Sequence, residues 1–270
     1  MDLIGFGREA DVYALDSNRV LRRYRRGDDA SGEAELMVHL YGIGYPVPRV
    51  HEVSGADLVL ERLDGVTMTE AFGAGGAGGD GVGAGAAILA DLHRRLHALP
   101  ARVGQRAGDR ILHRDLHPDN VMITSRGPVV IDWHNAAEGP PAVDVWLTAI
   151  ILAQVAAEPG HQHAVAAAAF LRAFLSESGV TLFSEGGAAF LPEAGVALLS
   201  EGGVAFLPEV GAALMSEDGI ALRPEGGDPV AAFDEAVAIR RADPALTAEE
   251  AAGLVATVGP LIRAALSGGR

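Results

Sequence analysis

One stretch limits what this chain can become. His113 to Trp133 reads HRDLHPDNVMITSRGPVVIDW, which sets Asp115 five residues before Asn120 and seventeen before Asp132. Between the amide and the second acid, VMI and PVVI are β-branched runs separated by Thr-Ser-Arg-Gly, the signature of a β-hairpin. Such a hairpin holds Asn120 just before one strand and Asp132 just after its partner, so the two side chains can converge on one ion. Magnesium takes hard oxygen ligands, one or two from protein and the rest from water and substrate phosphates. Asn120 and Asp132 are therefore the expected metal ligands. Asp115 is left to accept a hydroxyl proton, or to orient that hydroxyl for in-line attack on phosphorus.

The same residues resemble the H-R-D-L-x-x-x-N catalytic loop of the protein-kinase fold and the metal-binding aspartate that follows it. They are most similar to the aminoglycoside phosphotransferase family, whose loop reads HxDLHPxN and whose metal motif reads IDW. A chance loop on an ordinary hairpin is the plain alternative. Six identities in an eight-residue loop with a second motif at the right distance weigh against it. The resemblance implies an α+β, two-lobed protein-kinase-like fold, with a small antiparallel-sheet lobe over 1–64, a hinge near 61–64 and a mostly helical lobe over 65–270. It also implies supporting roles for His113 and for Asp144, the latter anchoring the backbone of the catalytic loop. Arg114 and Asp119 depart from the family, which often has glycine there, and the segment 100–113 is shorter than in many relatives.

The N-terminal residues fit the nucleotide-binding half of that fold. LIGFGREADVYAL carries Gly5, Gly7 and Val12 where a G-x-G-x-x-G-x-V loop has them, with Ala10 in place of the third glycine. Glycines there let backbone N–H groups approach phosphate oxygens. After a turn at Asp16-Ser17-Asn18, the strand RVLRRY offers Arg22 in the position of the phosphate-gripping lysine, and Arg23 points to its opposite face. On a helix expected from Ser31 to Gly42, Glu33 shares a face with Met37 and Leu40. The fold asks for a glutamate there to hold the cation, and Glu33 is preferred to Glu35. Adenine would pair with backbone groups of the hinge, from Glu61 to Leu63.

Composition narrows the class further. With 49% apolar residues a sizeable core is available, and no apolar run is long enough to span a bilayer. There is no cysteine, so neither disulfides nor thiolate sites arise. No basic-then-apolar leader follows Met1-Asp2, and a cytoplasmic location is expected. A net charge of −15 argues against nucleic acid and suits a cationic small molecule. All 21 basic residues are arginine, which excludes a Walker-type loop and Schiff-base chemistry.

The second half is expected to be helical, with segments over 142–156, 162–176, 229–242 and 247–266, the last opened by the capping box Thr247-Ala-Glu-Glu250. A glycine-rich insert is expected over 73–86. Another insert, 180–227, repeats an octapeptide six times with Ser and Pro alternating, and reads as four-residue strands joined by turns. Only twelve residues separate Asp132 from Asp144, too few for the activation segment that lays out a peptide. The expected activity is Mg2+-dependent transfer of the γ-phosphoryl of ATP or GTP to a hydroxyl of a small molecule. A catalytically silent nucleotide-binding regulator, or an interaction protein built on the repeats, are the alternatives. Intact Asp115, Asn120 and Asp132 weigh against both.

Overall fold

A computed structural model describes residues 1–7, 9–73, 80–104, 106–179, 188–190, 196–200, 203–206, 229–244 and 246–267. In chain order the elements are β1 (Asp2–Phe6), β2 (Ala10–Ala14), β3 (Arg19–Tyr24), α1 (Ser31–Gly42), β4 (Val50–Ser54), β5 (Asp57–Glu61), β6 (Gly65–Thr67) and α2 (Met68–Gly73). Next come α3 (Asp80–His97), β7 (Arg110–Leu112), a 3₁₀ turn (Pro118–Asn120), β8 (Val121–Thr124), β9 (Gly127–Val130) and β10 (Ala137–Gly139). The remainder is α4 (Pro141–Ala157), α5 (Ala164–Glu177), β11 (Ala188–Phe190), β12 (Val196–Ser200), β13 (Gly203–Phe206), α6 (Pro229–Arg241) and α7 (Ala248–Ser267). This is the expected α+β, protein-kinase-like arrangement of a small antiparallel sheet with one helix, followed by a mostly helical half. Among the described residues, no helix is long and apolar enough to cross a membrane.

The chain divides into two compact units, Met1–Ala74 with His113–Ala137, and Gly75–Leu112 with Glu138–Arg270. The first unit holds an antiparallel sheet in the order β1-β2-β3-β5-β4. Its β2–β3 turn is set by Asp16, whose carboxylate accepts from the Asn18 N–H at 2.8 Å, a local bond that asparagine and aspartate favour in turns. Alternation along β3 buries Val20 and Arg22 and exposes Arg19 and Arg23. Helix α1 starts at Ser31 and ends at Gly42 as its pattern predicts. Its N-cap position is Ala30, which offers no side chain, and Asp29 instead accepts from the Ser31 N–H at 3.1 Å.

The hairpin that follows Asn120 belongs to this same unit. β8 and β9 pair in register from Val121↔Val130 to Thr124↔Gly127, and β6 adds a third strand. Gly65 opens β6 because a Cβ there would overlap the Ile123 carbonyl. The two-lobe expectation put everything after residue 64 with the helical half. In the structure 65–74 and 113–137 group with the N-terminal sheet. The reason is bonding: the Val130 N–H reaches the Pro46 carbonyl at 2.8 Å, and after β9 Asp132 is tied to Arg22 of β3 and Trp133 to Glu33 of α1.

The second unit is built on α3, α4, α5, α6 and α7. Leu89, Leu92 and Leu96 of α3 are fully buried, as are Leu147 and Ile150 of α4, Phe174 of α5 and Val258 of α7. Each such side chain contributes about 1.5–3 kcal/mol by leaving water. Of the glycine-rich insert expected over 73–86, Gly73 ends α2 and residues 80–86 belong to α3, while 74–79 lie outside the described residues. Glycine disfavours helix by about 1 kcal/mol each, but Val82 and Ala86 are buried there, and packing outweighs propensity. The box at the start of α7 forms as predicted: the Thr247 N–H donates to Glu250 at 2.7 Å, and the Glu250 N–H donates back to the Thr247 hydroxyl at 3.2 Å. Within 180–227, β11, β12 and β13 fall on the second, third and fourth octapeptides and form an antiparallel meander. The other residues of that insert lie outside the described ones.

Candidate active site

Arg22 is the hub of the first unit's charged residues. Its guanidinium donates to Glu33 at 2.8 Å and to the Asp132 carboxylate, so one planar fork joins β3, α1 and the residue two beyond β9. Arg22 and Glu33 are both 8% exposed. Burial alone would lower the guanidinium's pKa, but Asp132 and Glu33 beside it drive it upward, so the charge is permanent. Glu33 is saturated: its carboxylate also accepts from the Tyr24 hydroxyl and, at 3.0 Å, from the Trp133 N–H. Burial raises the pKa of the Tyr24 phenol, which keeps it a hydroxyl donor. Glu35, by contrast, is exposed. Arg23 faces outward and pairs with Asp57 at 2.6 Å.

Asp132 keeps 41% of its side chain exposed although Arg22 holds one of its oxygens. Burial pushes its carboxyl up, but the neighbouring guanidinium outweighs this and holds it below the usual carboxylate range. Its backbone is left-handed, with φ of 65°, and so is that of Arg114. For residues other than glycine such a conformation costs on the order of 1–3 kcal/mol and persists only where surroundings enforce it. Glu33, gripping the next N–H, is one such enforcer. The positive φ at Arg114 also explains why glycine suits this place in the resembling motif.

Asn120 and Asp115 are brought together by the 3₁₀ turn. The Asn120 amide nitrogen donates to the Asp115 carbonyl at 2.8 Å and to its carboxylate at 3.2 Å, which leaves the amide oxygen as the group to face a cation. The Ile131 N–H donates to the Asn120 carbonyl at 3.0 Å, so Asn120 lies across from the residue before Asp132. His117 caps the turn and sits 3.2 Å from the Asn120 amide. His113 is fully buried; its Nε2 donates to the Ile131 carbonyl at 3.0 Å while Nδ1 accepts from the Asp115 N–H at 3.3 Å. One imidazole thus ties the catalytic loop to the strand that delivers Asp132.

Oxygen donors on either side of a hairpin, one acid near them and a buried arginine alongside form a set suited to a magnesium-bound phosphate ester. The sequence profile of the phosphotransferase enzyme family matches residues 2–110 and 105–179, which together span 178 of the 270 residues. The chain belongs to the phosphotransferase enzyme family. No curated protein matches its sequence. Among solved structures it is similar to the gentamicin complex of APH(2")-IIa, at 13% identity over 66% of this chain and 75% of that one, TM-score 0.48. It is also similar to an aminoglycoside-3'-phosphotransferase of type VIII, at 18% identity over 68% and 87%, TM-score 0.47. A choline/ethanolamine kinase family protein from Mesorhizobium loti matches at 15% identity over 65% and 69%, TM-score 0.43.

Gly5 lies within β1 and Gly7 directly follows that strand. The Gly7 N–H bonds the Ala10 carbonyl at 3.0 Å, and a Cβ on Gly7 would lie 3.1 Å from that same oxygen. Glu61 ends β5 with its N–H bonded to the Arg49 carbonyl at 2.9 Å and its carboxylate paired with Arg126 at 2.9 Å. Leu63 lies in the irregular stretch between β5 and β6. Asp144 is wholly buried in the first turn of α4, in the second unit, with His97 at 3.0 Å. Sequence reasoning missed Tyr24 and His117. Tyr24 follows Arg22 by two on one strand, and that alternation alone puts both on one face.

Arg22→Ala is expected to raise the KM for nucleotide by roughly tenfold or more, equivalent to about 1.4 kcal/mol, and to disturb acceptor affinity less. Arg23→Ala removes only an exposed pair, worth about 0–1 kcal/mol. Steady-state kinetics of the two variants check this. A larger effect from Arg23 would place the phosphate on the other face of β3.

Proposed function

We propose that the protein transfers the γ-phosphoryl group of ATP or GTP, with Mg2+, to a hydroxyl group of a small molecule. The observation that carries this reading is the junction of Arg22, Glu33 and Asp132, three residues from distant parts of the sequence, beside the Asp115–Asn120 pair. Asn120 and Asp132 would hold the ion; both offer oxygen, and the exposed part of Asp132 leaves one carboxylate oxygen beyond the one that Arg22 takes. Bound there, the ion would neutralise charge on the phosphate oxygens. Arg22, kept charged by Glu33, grips the α- and β-phosphates, and the N–H groups around Gly5 and Gly7 cover them. Glu61 and Leu63 offer backbone groups to the base. Asp115 accepts the acceptor's proton. His113 supports the catalytic loop. The short interval from Asp132 to Asp144 favours a small acceptor over a peptide, and the charge of −15 favours a cationic one.

The test is nucleotide consumption against a panel of hydroxyl-bearing antibiotics, amino alcohols and metabolites, with the phosphorylated product identified by mass. Acceptor-dependent turnover that disappears with chelator is the expected result. Nucleotide binding with no turnover on any acceptor would favour a silent regulator.

Every residue given a catalytic role precedes the repeats. Deleting 180–227 is therefore expected to leave basal, acceptor-independent nucleotide hydrolysis within about threefold, since doubling a surface loop changes its closure cost by only about 0.6 kcal/mol. Hydrolysis and Tm should be measured together. Loss of both would make the repeats part of the core, and loss of hydrolysis at unchanged Tm would make them part of the site.

A further inference from the structure

We propose that His93, His97 and Asp144 form a binding site for a divalent transition-metal ion of the zinc class, separate from the magnesium ligands assigned above. His93 and His97 are one turn apart on α3 and therefore share a face, and α4 delivers Asp144 to that face. The three ligand atoms lie within 4.8 Å of one another. Asp144 Oδ2 is 3.0 Å from His97 Nε2 and 3.8 Å from His93 Nδ1. Four-coordinate zinc with bonds of about 2.0–2.2 Å sets neighbouring ligand atoms roughly 3.3–3.5 Å apart. The two separations from Asp144 bracket that value, and the two imidazole nitrogens, within 4.8 Å of each other, close by up to about 1 Å to complete the geometry.

The hydrogen bonds around the cluster orient it for a cation. The Thr148 hydroxyl donates to the Asp144 backbone carbonyl at 3.2 Å, so towards His93 Nε2, 3.0 Å away, it must act as acceptor. That places the His93 proton on Nε2 and turns the Nδ1 lone pair towards the Asp144 carboxylate. The site is dry, with His93 2% and Asp144 0% exposed. A metal ion there would bond the Nδ1 of His93 and the carboxylate of Asp144 together. An outer hydroxyl that fixes the tautomer of a ligating histidine is the usual companion of such sites. Donors of imidazole and carboxylate suit zinc, whereas the oxygen-only pair Asn120 and Asp132 suits magnesium. Only Oδ2 of Asp144 is used, and His97, with 11% of its side chain exposed, gives the ion its path from solvent.

The full chain, stripped with chelator and kept in excess magnesium so that the oxygen site is not scored, is titrated with Zn2+ by calorimetry and with Co2+ by visible absorption. The expected result is one tight equivalent of Zn2+ and the intense absorption of four-coordinate cobalt. A rise in Tm of about 5–10 °C is expected at zinc a hundredfold above its Kd. His93→Phe, which keeps the volume and removes a donor, should lose that equivalent. Thr148→Val, which keeps all three ligands, should weaken it roughly 10- to 100-fold. His97→Gln replaces His93→Phe if the latter does not fold. No stoichiometric uptake by the wild type would mean a hydrogen-bonded triad only and would overturn the proposal. Uptake that persists undiminished in the His93 or His97 variant would overturn it as well.

Discussion

Replacing Asp115 by alanine is expected to slow phosphoryl transfer by ~10²–10⁴-fold, the usual cost of losing a positioned base, while nucleotide affinity stays within a few-fold. The division follows from how Asn120 is held. Its amide nitrogen bonds both the carboxylate and the backbone carbonyl of Asp115. Alanine keeps the carbonyl, and that 2.8 Å bond continues to present the Asn120 oxygen to the metal. Asp115 itself touches neither Arg22 nor Glu33 in any bond described above. Single-turnover rates and a nucleotide titration on the same preparation decide the matter. An equal fall in both would move Asp115 from the acceptor side of the reaction to the nucleotide side.

Asp132→Asn is expected to weaken magnesium-nucleotide binding and rate together, by roughly 10²-fold in kcat/KM, comparable to removing one preorganised charge-stabilising group. Two losses coincide: the ion's shell gives up a full negative charge, and Arg22 loses one of its two carboxylate partners. Raising magnesium should restore part of the rate. A variant with normal turnover at ordinary magnesium would remove Asp132 from the ion. The pH dependence has a definite sign. Because the folded carboxyl titrates below its usual range, its stabilising contribution is complete above the unfolded value of about 3.9. It fades only as pH falls from there through the lower folded value. Metal-free Tm should therefore not change on account of this group between neutrality and mild acid.

The hairpin was legible because it is written in fixed spacings: Asp115, Asn120 and Asp132 are positioned by a short turn and one two-residue loop. Glu33 was legible too, since a helical face chooses between it and Glu35. What escaped is what crosses between elements. The Trp133 N–H on Glu33 is a backbone group and carries no residue signature. The start of α3 escaped because glycine reads as a breaker, while the burial of Val82 and Ala86 that overrides it is a property of neighbours distant in sequence. His93 and His97 had legible spacing, but the third ligand comes from another helix, 47 residues beyond His97. The placement of the hairpin with the N-terminal sheet likewise depends on Arg22, more than one hundred residues away.

On the function proposed above, Arg22 fills the place where related chemistry uses a primary amine, and the chain has no lysine at all, so its nucleotide site would be chemically silent to a common class of reagents. Nucleotide analogues that acylate an amine beside the phosphates would find a guanidinium that stays protonated at any workable pH. A survey of nucleotide-using proteins by lysine capture would pass over this protein however active it is, whereas a dicarbonyl reagent aimed at arginine would be blocked at Arg22 by bound nucleotide. Protection of that single guanidinium, read by mass spectrometry, would report occupancy of the site without any knowledge of the acceptor.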